Sequence, residues 1–176
     1  VEVVGGVVGV FDGGDYIYIP NSTPIDNFIL YFYTASEITS ATPFVNLGSI
    51  GGVSSIMALG GIGATAIDET FTLWGAVPND NSYIKDNIPA GWNKIELIWD
   101  DGLYRIILND IERTVYSKSG SMEQQSSDIY IGKRDGIGNY YTGSMYGISI
   151  NNTHYYGLNG HPINSINGVA ATNNGV

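Results

Sequence analysis

Acidic residues are the first candidates for chemistry in this sequence of 176 residues. Two carboxylates on one strand can cleave a glycosidic bond, and a retaining enzyme needs them roughly 5 Å apart. Glu96 and Asp100 share one face of a predicted strand, but four residues separate them by about 13 Å at ~3.3 Å per residue. Asp68 and Glu69 are adjacent and would point to opposite faces. We therefore expect a protein that is not an enzyme.

Nucleophilic catalysis and zinc binding are also disfavoured. The sequence contains no Cys, and its two histidines, His154 and His161, both lie near the C-terminal end. No Gly-x-Ser-x-Gly motif precedes a predicted helix. We expect both histidines to form surface hydrogen bonds rather than to act as a base or a zinc ligand.

Calcium is the metal that this sequence could hold, because it takes oxygen ligands from Asp, Asn and backbone carbonyls. Asp12 and Asp15 flank a glycine pair in the segment FDGGDYIYIP, but they lack the spacing of an EF-hand loop. A calcium site would need a distant loop, such as the one that carries Asp135. The alternative, which we favour, is a structural turn in which the carboxylates accept local hydrogen bonds.

Aromatic side chains are the candidates for ligand binding, since flat faces beside polar groups suit sugars. Tyr83, Tyr140 and Tyr141 fall in predicted loops rich in Asn, Asp and Gly, and Asn139 lies beside two of them. Trp92 is a further candidate, although packing at the edge of the core is the alternative for it. These five residues are the predicted ligand-binding residues.

The composition limits the partners of the chain. Seven Lys and Arg face 17 Asp and Glu, which gives a net charge of −10 and no basic cluster. We therefore expect no nucleic-acid partner. No apolar run reaches the roughly 18 residues that span a bilayer, so we expect no membrane insertion. The low Lys content and the many Asn, Gly and Tyr residues are typical of extracellular surfaces.

The apolar residues alternate with a period of two and never recur with helical spacing, which predicts an all-β chain. The hairpin turns are predicted at Asp101-Gly102 and Asn109-Asp110, which favour positive φ angles. The predicted strands are Val3 to Phe11, Tyr16 to Ile19, Phe28 to Thr34, Phe44 to Leu47, Ser54 to Leu59, Thr70 to Trp74, Asn93 to Trp99, Leu103 to Leu108, Ile111 to Tyr116, Ile129 to Ile131 and Gly143 to Ile150.

So many short strands predict a two-sheet antiparallel β-sandwich, because one open sheet would leave a face and two edges unprotected. In the strand 93–99, Ile95, Leu97 and Trp99 are predicted to face the core, and Lys94 and Glu96 the solvent. Residues 76–92 and 117–127 are predicted loops. The sandwich is predicted to occupy residues 1–150. An Asn/Gly-rich tail, 151–176, would cover a surface or contact a neighbour.

Four segments, in this order, resemble the concanavalin A-like, laminin G-like jelly roll. They are FDGGDYIYIP, DNFILYFYTA, GWNKIELIWDDGLYRIILND and DIYIGKRDGIGNYYTGSMYGISI, and they cover most of residues 11–150. Asn109-Asp110 stands where the family has an Asn-Gly-like turn. The resemblance implies a jelly-roll sandwich, and calcium at its rim is frequent in the family. The segment SINGVAATNNGV in the tail resembles segments of virion and appendage proteins of tailed phages.

The resulting hypothesis is a non-enzymatic module on an extracellular or virion surface that binds a cell-surface glycan for adhesion or host recognition. The alternative is a structural subunit of a capsid, tail, fibre or surface layer, which would form a homo-oligomer or contact neighbouring subunits. A glycan hydrolase is the third hypothesis, disfavoured by the spacing of the acidic residues.

Overall fold

The computed structural model describes residues 9–39, 45–50, 56–59, 71–74, 81–117, 124, 126, 128–134, 137–156 and 172–174. These residues form β1 Gly9–Asp12, β2 Tyr16–Ile19, β3 Asn27–Thr34, β4 Val45–Ile50, β5 Ile56–Leu59, β6 Phe71–Trp74, β7 Asn81–Ile84, β8 Gly91–Asp100, β9 Leu103–Leu108, β10 Ile111–Glu112, β11 Tyr116–Ser117, β12 Ile129–Ile131, β13 Lys133–Arg134, β14 Ile137–Tyr140, β15 Thr142–Ile150, β16 Thr153–Tyr156 and β17 Thr172–Asn174.

Two antiparallel sheets make up the sandwich, which confirms the predicted fold class. The seven-stranded sheet has the order β1-β15-β3-β8-β9-β10, with β16 also paired to β15. The eight-stranded sheet has the order β11-β7-β6-β5-β4-β12-β2-β17, and β13 and β14 pair separately. None of the described residues forms a helix that is long and apolar enough to cross a membrane.

The core lies between the two sheets and follows from the alternation of apolar residues along the strands. In β3, β8 and β9 every second residue is buried, because successive side chains of a strand point to opposite faces. The core combines Phe28, Leu30, Phe32, Ile95, Leu97, Ile106 and Leu108 of the seven-stranded sheet with Ile17, Ile19, Leu47, Ile129 and Ile131 of the eight-stranded sheet.

The predicted faces of β8 are confirmed. Ile95 and Leu97 are buried, and Trp99 is partly buried against the core. Lys94 and Glu96 are half-buried on the opposite, outer face. The inward-facing residues of this strand therefore pack in the core. The outward-facing residues remain accessible for contacts with solvent or ligand.

Both predicted hairpin turns are confirmed. Asp101 and Gly102 have φ angles of 33° and 105°, and Asn109 and Asp110 have 52° and 66°. These left-handed conformations match the right-handed twist of the flanking strands. The two turns fix the register of β8, β9 and β10.

The predicted strand 111–116 is wrong as a single element. β10 pairs with β9 in the seven-stranded sheet, whereas β11 pairs with β7 in the eight-stranded sheet. The chain crosses from one sheet to the other between Glu112 and Tyr116, where Val115 packs against the core. The predicted loop 76–92 is also interrupted, because β7 pairs with β6 and β11.

Two described parts of the predicted tail pair with the sheets. Asn151 and Asn152, with φ angles of 48° and 63°, form a turn that pairs β16 with β15. The Asn151 side chain accepts hydrogen bonds from the backbone N–H groups of Asp26 and Asn27, at 2.8 and 3.1 Å. β17 pairs with β2 in the eight-stranded sheet. The domain boundary at residue 150 stays a prediction.

Candidate functional site

The outer face of the seven-stranded sheet carries a row of aromatic rings. Tyr31 and Tyr33 point outward from β3, because Leu30 and Phe32 point into the core. These two tyrosines form edge-to-face pairs with residues of the neighbouring strands. We call the row of Trp92, Tyr33, Tyr31 and Tyr146 the aromatic strip.

The Trp92–Tyr33 pair is the accessible end of the aromatic strip. Trp92 of β8 lies directly opposite Tyr33 of β3, and the ring centroids are 5.6 Å apart at an angle of 66°. Edge-to-face pairs of this kind hold both rings in a defined orientation. Tyr33 is 39% exposed and Trp92 is half-buried. The pair therefore offers a rigid, partly apolar surface to a ligand.

A β-bulge brings Tyr146 into the aromatic strip. The register of β15 against β3 shifts between Met145 and Gly147, so that Met145 faces Phe32 and Gly147 faces Tyr31. The Tyr146 ring lies 6.0 Å from the Tyr31 ring at an angle of 87°. The extra residue of a bulge redirects a side chain locally, and here it places a fourth ring on the outer face.

A buried asparagine supports the start of β8 beneath Trp92. Asn93 is buried, and its Nδ2 donates to the carbonyl oxygens of Pro89 and Gly91 at 2.9 and 3.1 Å. Its Oδ1 accepts from Nδ2 of Asn109 at 2.9 Å. Thr34 Oγ1 also donates to the Pro89 carbonyl, at 2.8 Å. These bonds fix the backbone that presents Trp92.

A cleft of about 390 Å³ adjoins the aromatic strip, since Tyr33 forms part of its wall. This Tyr141 cleft is lined by Tyr33, Thr34, Ala35, Ser36, Ile38, Tyr141, Thr142, Gly143 and Ser144. Its volume lies in the range of small-molecule sites. Exposed Ser36 and Thr142 place polar residues at its rim.

The prediction that Tyr141 lies in an exposed loop is wrong. It is 2% exposed, and its ring packs edge-to-face on Phe11 at 5.8 Å. Its hydroxyl donates to the carbonyl oxygen of Tyr33 at 2.8 Å, so the polar end of the side chain has a partner inside the protein. Burial raises the pKa of Tyr141 well above its usual value. Tyr141 is thus a neutral core residue that supports Tyr33 from below.

Three of the other predicted ligand-binding residues lie on strands other than β8. Tyr83 lies in β7 of the eight-stranded sheet rather than in a loop, and stacks on Tyr116 at 5.6 Å. Asn139 and Tyr140 lie in β14, and their side chains are outside the described residues. Of the five predicted residues, only Trp92 lies on the aromatic strip in the part of the chain that the structure describes.

The turn at Asp12 and Asp15 has the geometry expected of a structural turn. Asp12 accepts a hydrogen bond from the Gly14 N–H, and Asp15 accepts one from the Asp12 N–H, both at 3.0 Å. Gly13 adopts a φ of 98°, and the turn leads from β1 in one sheet to β2 in the other.

The calcium site stays a prediction, since Asp135 lies outside the described residues. No group of three or more His, Asp or Glu residues that could hold a metal ion occurs among the residues that the structure describes.

A second group of rings lies on the outer face of the eight-stranded sheet, and a lysine covers it. Tyr16, Tyr18 and Tyr130 form this group, in which Tyr130 is paired with Tyr18 across the strands. The Lys133 Nζ lies 3.5 Å from the centroid of the Tyr16 ring and 4.9 Å from that of Tyr130. We call these four residues the tyrosine–lysine cluster.

Sequence reasoning missed Tyr31, Tyr33 and Tyr146. The signal for the first two was present in the segment NFILYFYT. Its side chains alternate between two faces, which places the tyrosines on the face away from Phe28, Leu30 and Phe32. No comparable local signal exists for Tyr146, because its position depends on the bulge in β15.

No family model matches this sequence, and no curated protein matches it either. The solved structures that are similar include a Bacteroides ovatus protein described as a candidate carbohydrate-binding protein, at a TM-score of 0.65 and 16% identity. The match covers 97% of this chain and 58% of that one, so the chain spans little more than half of that protein.

Two further solved structures share the architecture. Domain 4 of AbnA, an extracellular arabinanase of glycoside hydrolase family 43 from Geobacillus stearothermophilus solved with arabinotriose, has a TM-score of 0.58 and 17% identity over 80% of this chain and 68% of that one. Domains LG4-5 of the mouse laminin alpha1 chain have a TM-score of 0.52 and 10% identity over 87% of this chain and 44% of that one.

The fold is that of the laminin G-like, concanavalin A-like jelly rolls. This agrees with the family resemblance of the four sequence segments. At such low identities the likeness shows the fold alone, and the function of this jelly roll must be argued from its own surface.

Proposed function

We propose that this jelly roll is a non-enzymatic module that binds glycan through the aromatic strip and the adjoining Tyr141 cleft. The observation that carries the proposal is the Trp92–Tyr33 pair, whose rings are held edge to face and whose Tyr33 also lines the Tyr141 cleft. A sugar ring has an apolar face of C–H groups and a rim of hydroxyl groups. The aromatic rings suit the first, and the polar residues of the cleft suit the second.

The support beneath the site favours binding with little reorganisation. Asn93 holds the backbone before Trp92, and Tyr141 holds the backbone of Tyr33 by its hydroxyl group. A site that is already ordered pays less conformational entropy when a ligand binds. The comparisons support the proposed ligand class, since one similar structure is described as a candidate carbohydrate-binding protein and another contains arabinotriose.

The two carboxylates of β8 favour a binding role over hydrolysis. Glu96 accepts a hydrogen bond from Asn27 Nδ2 at 2.7 Å. Asp100 lies at the far end of β8, four residues away along the strand. A pair separated by roughly 13 Å is too far apart for either geometry of glycoside hydrolysis. We further propose an extracellular or virion location, where glycan binding would serve adhesion or host recognition.

Binding to a glycan array, followed by calorimetry with the best neutral and acidic oligosaccharides, tests the proposal. Trp92→Ala should weaken binding at least tenfold, because it removes the largest ring of the strip. Each titration is run with added calcium and with a chelator, which also tests the predicted calcium site.

Tyr16→Ala is the matched control, since it removes a ring of the tyrosine–lysine cluster on the opposite sheet. It should leave the affinity unchanged, and thermal melts establish that both variants are folded. Wild-type affinity in the Trp92→Ala variant, or an array without any bound glycan, would show that the proposal is wrong.

A further inference from the structure

The Tyr141 cleft is lined by uncharged residues. None of the described residues in its wall carries a charged side chain. Ile38 and Tyr141 are buried beneath it, and exposed Ser36 and Thr142 contribute hydroxyl groups at its rim. A hydroxyl group both donates and accepts hydrogen bonds, as the hydroxyl groups of a sugar do. The cleft therefore matches a ligand that has many hydroxyl groups and no charge.

One wall of the Tyr141 cleft is a short loop that is held at both ends. At one end, Thr34 Oγ1 donates to the Pro89 carbonyl oxygen at 2.8 Å. At the other end, the backbones of Ile38 and Ile88 exchange two hydrogen bonds, at 2.8 and 3.0 Å. Residues 35–37 between these points are exposed. The wall that carries the rim hydroxyl group is thus fixed before a ligand binds, which lowers the conformational entropy lost on binding.

Two carboxylates are neighbours of the rim residues. Asp12 of β1 lies directly opposite Thr142 of β15, so the two side chains share a face of the sheet. Glu37 follows Ser36 in the chain. Both acidic residues are exposed. Asp12 accepts a hydrogen bond from a backbone N–H group, and Glu37 accepts one from a side-chain amide. These donors are neutral, so both carboxylates keep their negative charge beside the cleft.

The ammonium group beside the aromatic strip already has a carboxylate partner. Lys94 lies directly opposite Tyr31 in the pairing of β3 with β8, on the outer face of the sheet. Its ammonium group contacts the carboxylate of Asp110. Glu96 lies two residues further along the same face of β8. A ligand carboxylate on the strip would therefore have to displace Asp110 from Lys94 and approach Glu96.

We propose that the aromatic strip and the Tyr141 cleft select a neutral saccharide and reject uronic and sulfated sugars, an inference that rests on the proposed function of the module. One sugar unit lies in the cleft and the next unit of the chain lies on the Trp92–Tyr33 rings, since Tyr33 belongs to both surfaces. Moving an ionised group into an uncharged cleft costs free energy when no opposite charge meets it. The neighbouring carboxylates add repulsion, because like charges at an interface disfavour association.

A matched pair of probes tests this inference. Trigalacturonate carries a carboxylate on each sugar unit, and its methyl ester has the same chain without the charge. Calorimetry at neutral pH compares the two, with arabinotriose and cellotetraose as further neutral probes. We expect the neutral probes to bind the wild-type protein at least tenfold more tightly than free trigalacturonate does. Added salt should narrow the difference between acid and ester, because screening weakens the repulsion.

A positive charge placed at the rim should weaken the selection. Ser36→Lys should bind free trigalacturonate about fivefold more tightly than Ser36→Gln, the matched variant that adds a long side chain without a charge. Glu37→Gln removes one of the neighbouring carboxylates and should raise the affinity for the free acid about twofold. None of these changes should raise the affinity for the methyl ester. Thermal melts establish that the variants are folded.

The possible failures differ from one another. Equal affinity for trigalacturonate and its ester, with both lost in Trp92→Ala, overturns the neutral ligand class and leaves the proposed function intact. Equal affinity of Ser36→Lys and Ser36→Gln for the free acid overturns the placement of a sugar unit in the cleft. A Trp92→Ala variant that binds the neutral probes as tightly as the wild type overturns the role of the aromatic strip instead. A wild-type chain that binds none of the probes overturns both proposals for these sugars.

Discussion

The aromatic strip and the tyrosine–lysine cluster are built alike and differ in what covers them. Both consist of rings that point outward from neighbouring antiparallel strands. In the strip, Tyr33 and Trp92 contact each other and remain partly open. In the cluster, the ammonium group of Lys133 lies over the rings of Tyr16 and Tyr130.

This difference shows that an outward-facing ring is not by itself a binding surface. A cation above a ring gains electrostatic energy from the π-system and occupies the face that a ligand would need. Tyr18 in the cluster is also engaged, because its hydroxyl donates to Asp128 at 2.8 Å. The two sheets therefore use the same residue type in different settings: the rings of the cluster are covered by a lysine, and the rings of the strip remain partly open, as the proposed recognition role requires.

Removal of the Asn93 side chain, which supports the backbone beneath the aromatic strip, should have the largest effect on stability. Asn93→Ala leaves the Asn109 amide and the carbonyl groups before Trp92 without their buried partner, and should lower the free energy of unfolding by about 3 kcal/mol. Ser49→Ala is the matched change, since this buried residue lies beside Tyr130. It should cost about 1 kcal/mol. Urea denaturation measures both, and equal costs would contradict the special role of Asn93.

A change in the strip itself should have the next largest effect. Tyr33→Ala removes the ring that orients Trp92, an interaction worth about 1 kcal/mol, and should weaken glycan binding about fivefold. Tyr33→Phe keeps the ring and should bind like the wild type. Tyr18→Ala removes a ring of the cluster and should leave binding unchanged. Calorimetry tests all three, and a loss of affinity in Tyr18→Ala would remove the contrast between the two surfaces.

Uncovering the cluster should create a weak new binding surface. Lys133→Ala removes a cation–π contact, at a cost of about 0.5–1 kcal/mol in stability. In a Trp92→Ala background, the freed Tyr16 ring should restore slight retention in affinity electrophoresis with neutral polysaccharides. Lys133→Arg, which keeps a cation above the ring, is the control. If Lys133→Ala shows no more retention than this control, the covering lysine is not what distinguishes the two surfaces.

The smallest effect on stability at neutral pH is expected from the ionisation of Tyr141. Burial raises its pKa in the folded protein, so the folded state holds the phenol proton more tightly than the unfolded chain does. Stability should therefore be complete below the unfolded pKa of about 10 and fall as the pH rises towards the folded value. Tyr141→Phe should flatten this alkaline decline in thermal melts. A decline equally steep in the variant would assign it to other groups.

Much of the fold could be predicted because the seven-stranded sheet obeys local rules. Alternation marks β3, β8 and β9, and the turn residues Asp101-Gly102 and Asn109-Asp110 mark two hairpins. The Asn151-Asn152 turn has the same chemistry, yet the prediction ended the sandwich just before it. β7 was not predicted, because its sequence shows only weak alternation of apolar residues. It is a strand because it pairs with β6 and β11.

The site was predictable only in part. Trp92 was proposed from its residue type, and the alternation of β3 would also have revealed Tyr31 and Tyr33. Tyr146 depends on a register shift, and the Lys133 contact depends on strands distant in sequence, so neither follows from a local pattern. Tyr141 was predicted to be exposed, because the sequence alone did not show that its hydroxyl donates a hydrogen bond to the carbonyl oxygen of Tyr33 inside the protein.

The turn at Gly13 also has a consequence for the time at which the protein can fold. The strands on either side of it pair with late parts of the chain: β1 with residues 142–145, and β2 with residues 129–131 and 172–174. On a ribosome, β1 must wait until residues 142–145 have been made, and β2 until residues 129–131 and 172–174 have been made. Folds with such distant pairings form slowly, in milliseconds to seconds, and expose unpaired edges meanwhile. β1 and β2 thus precede the other described strands in the chain and are among the last of them to find their partners.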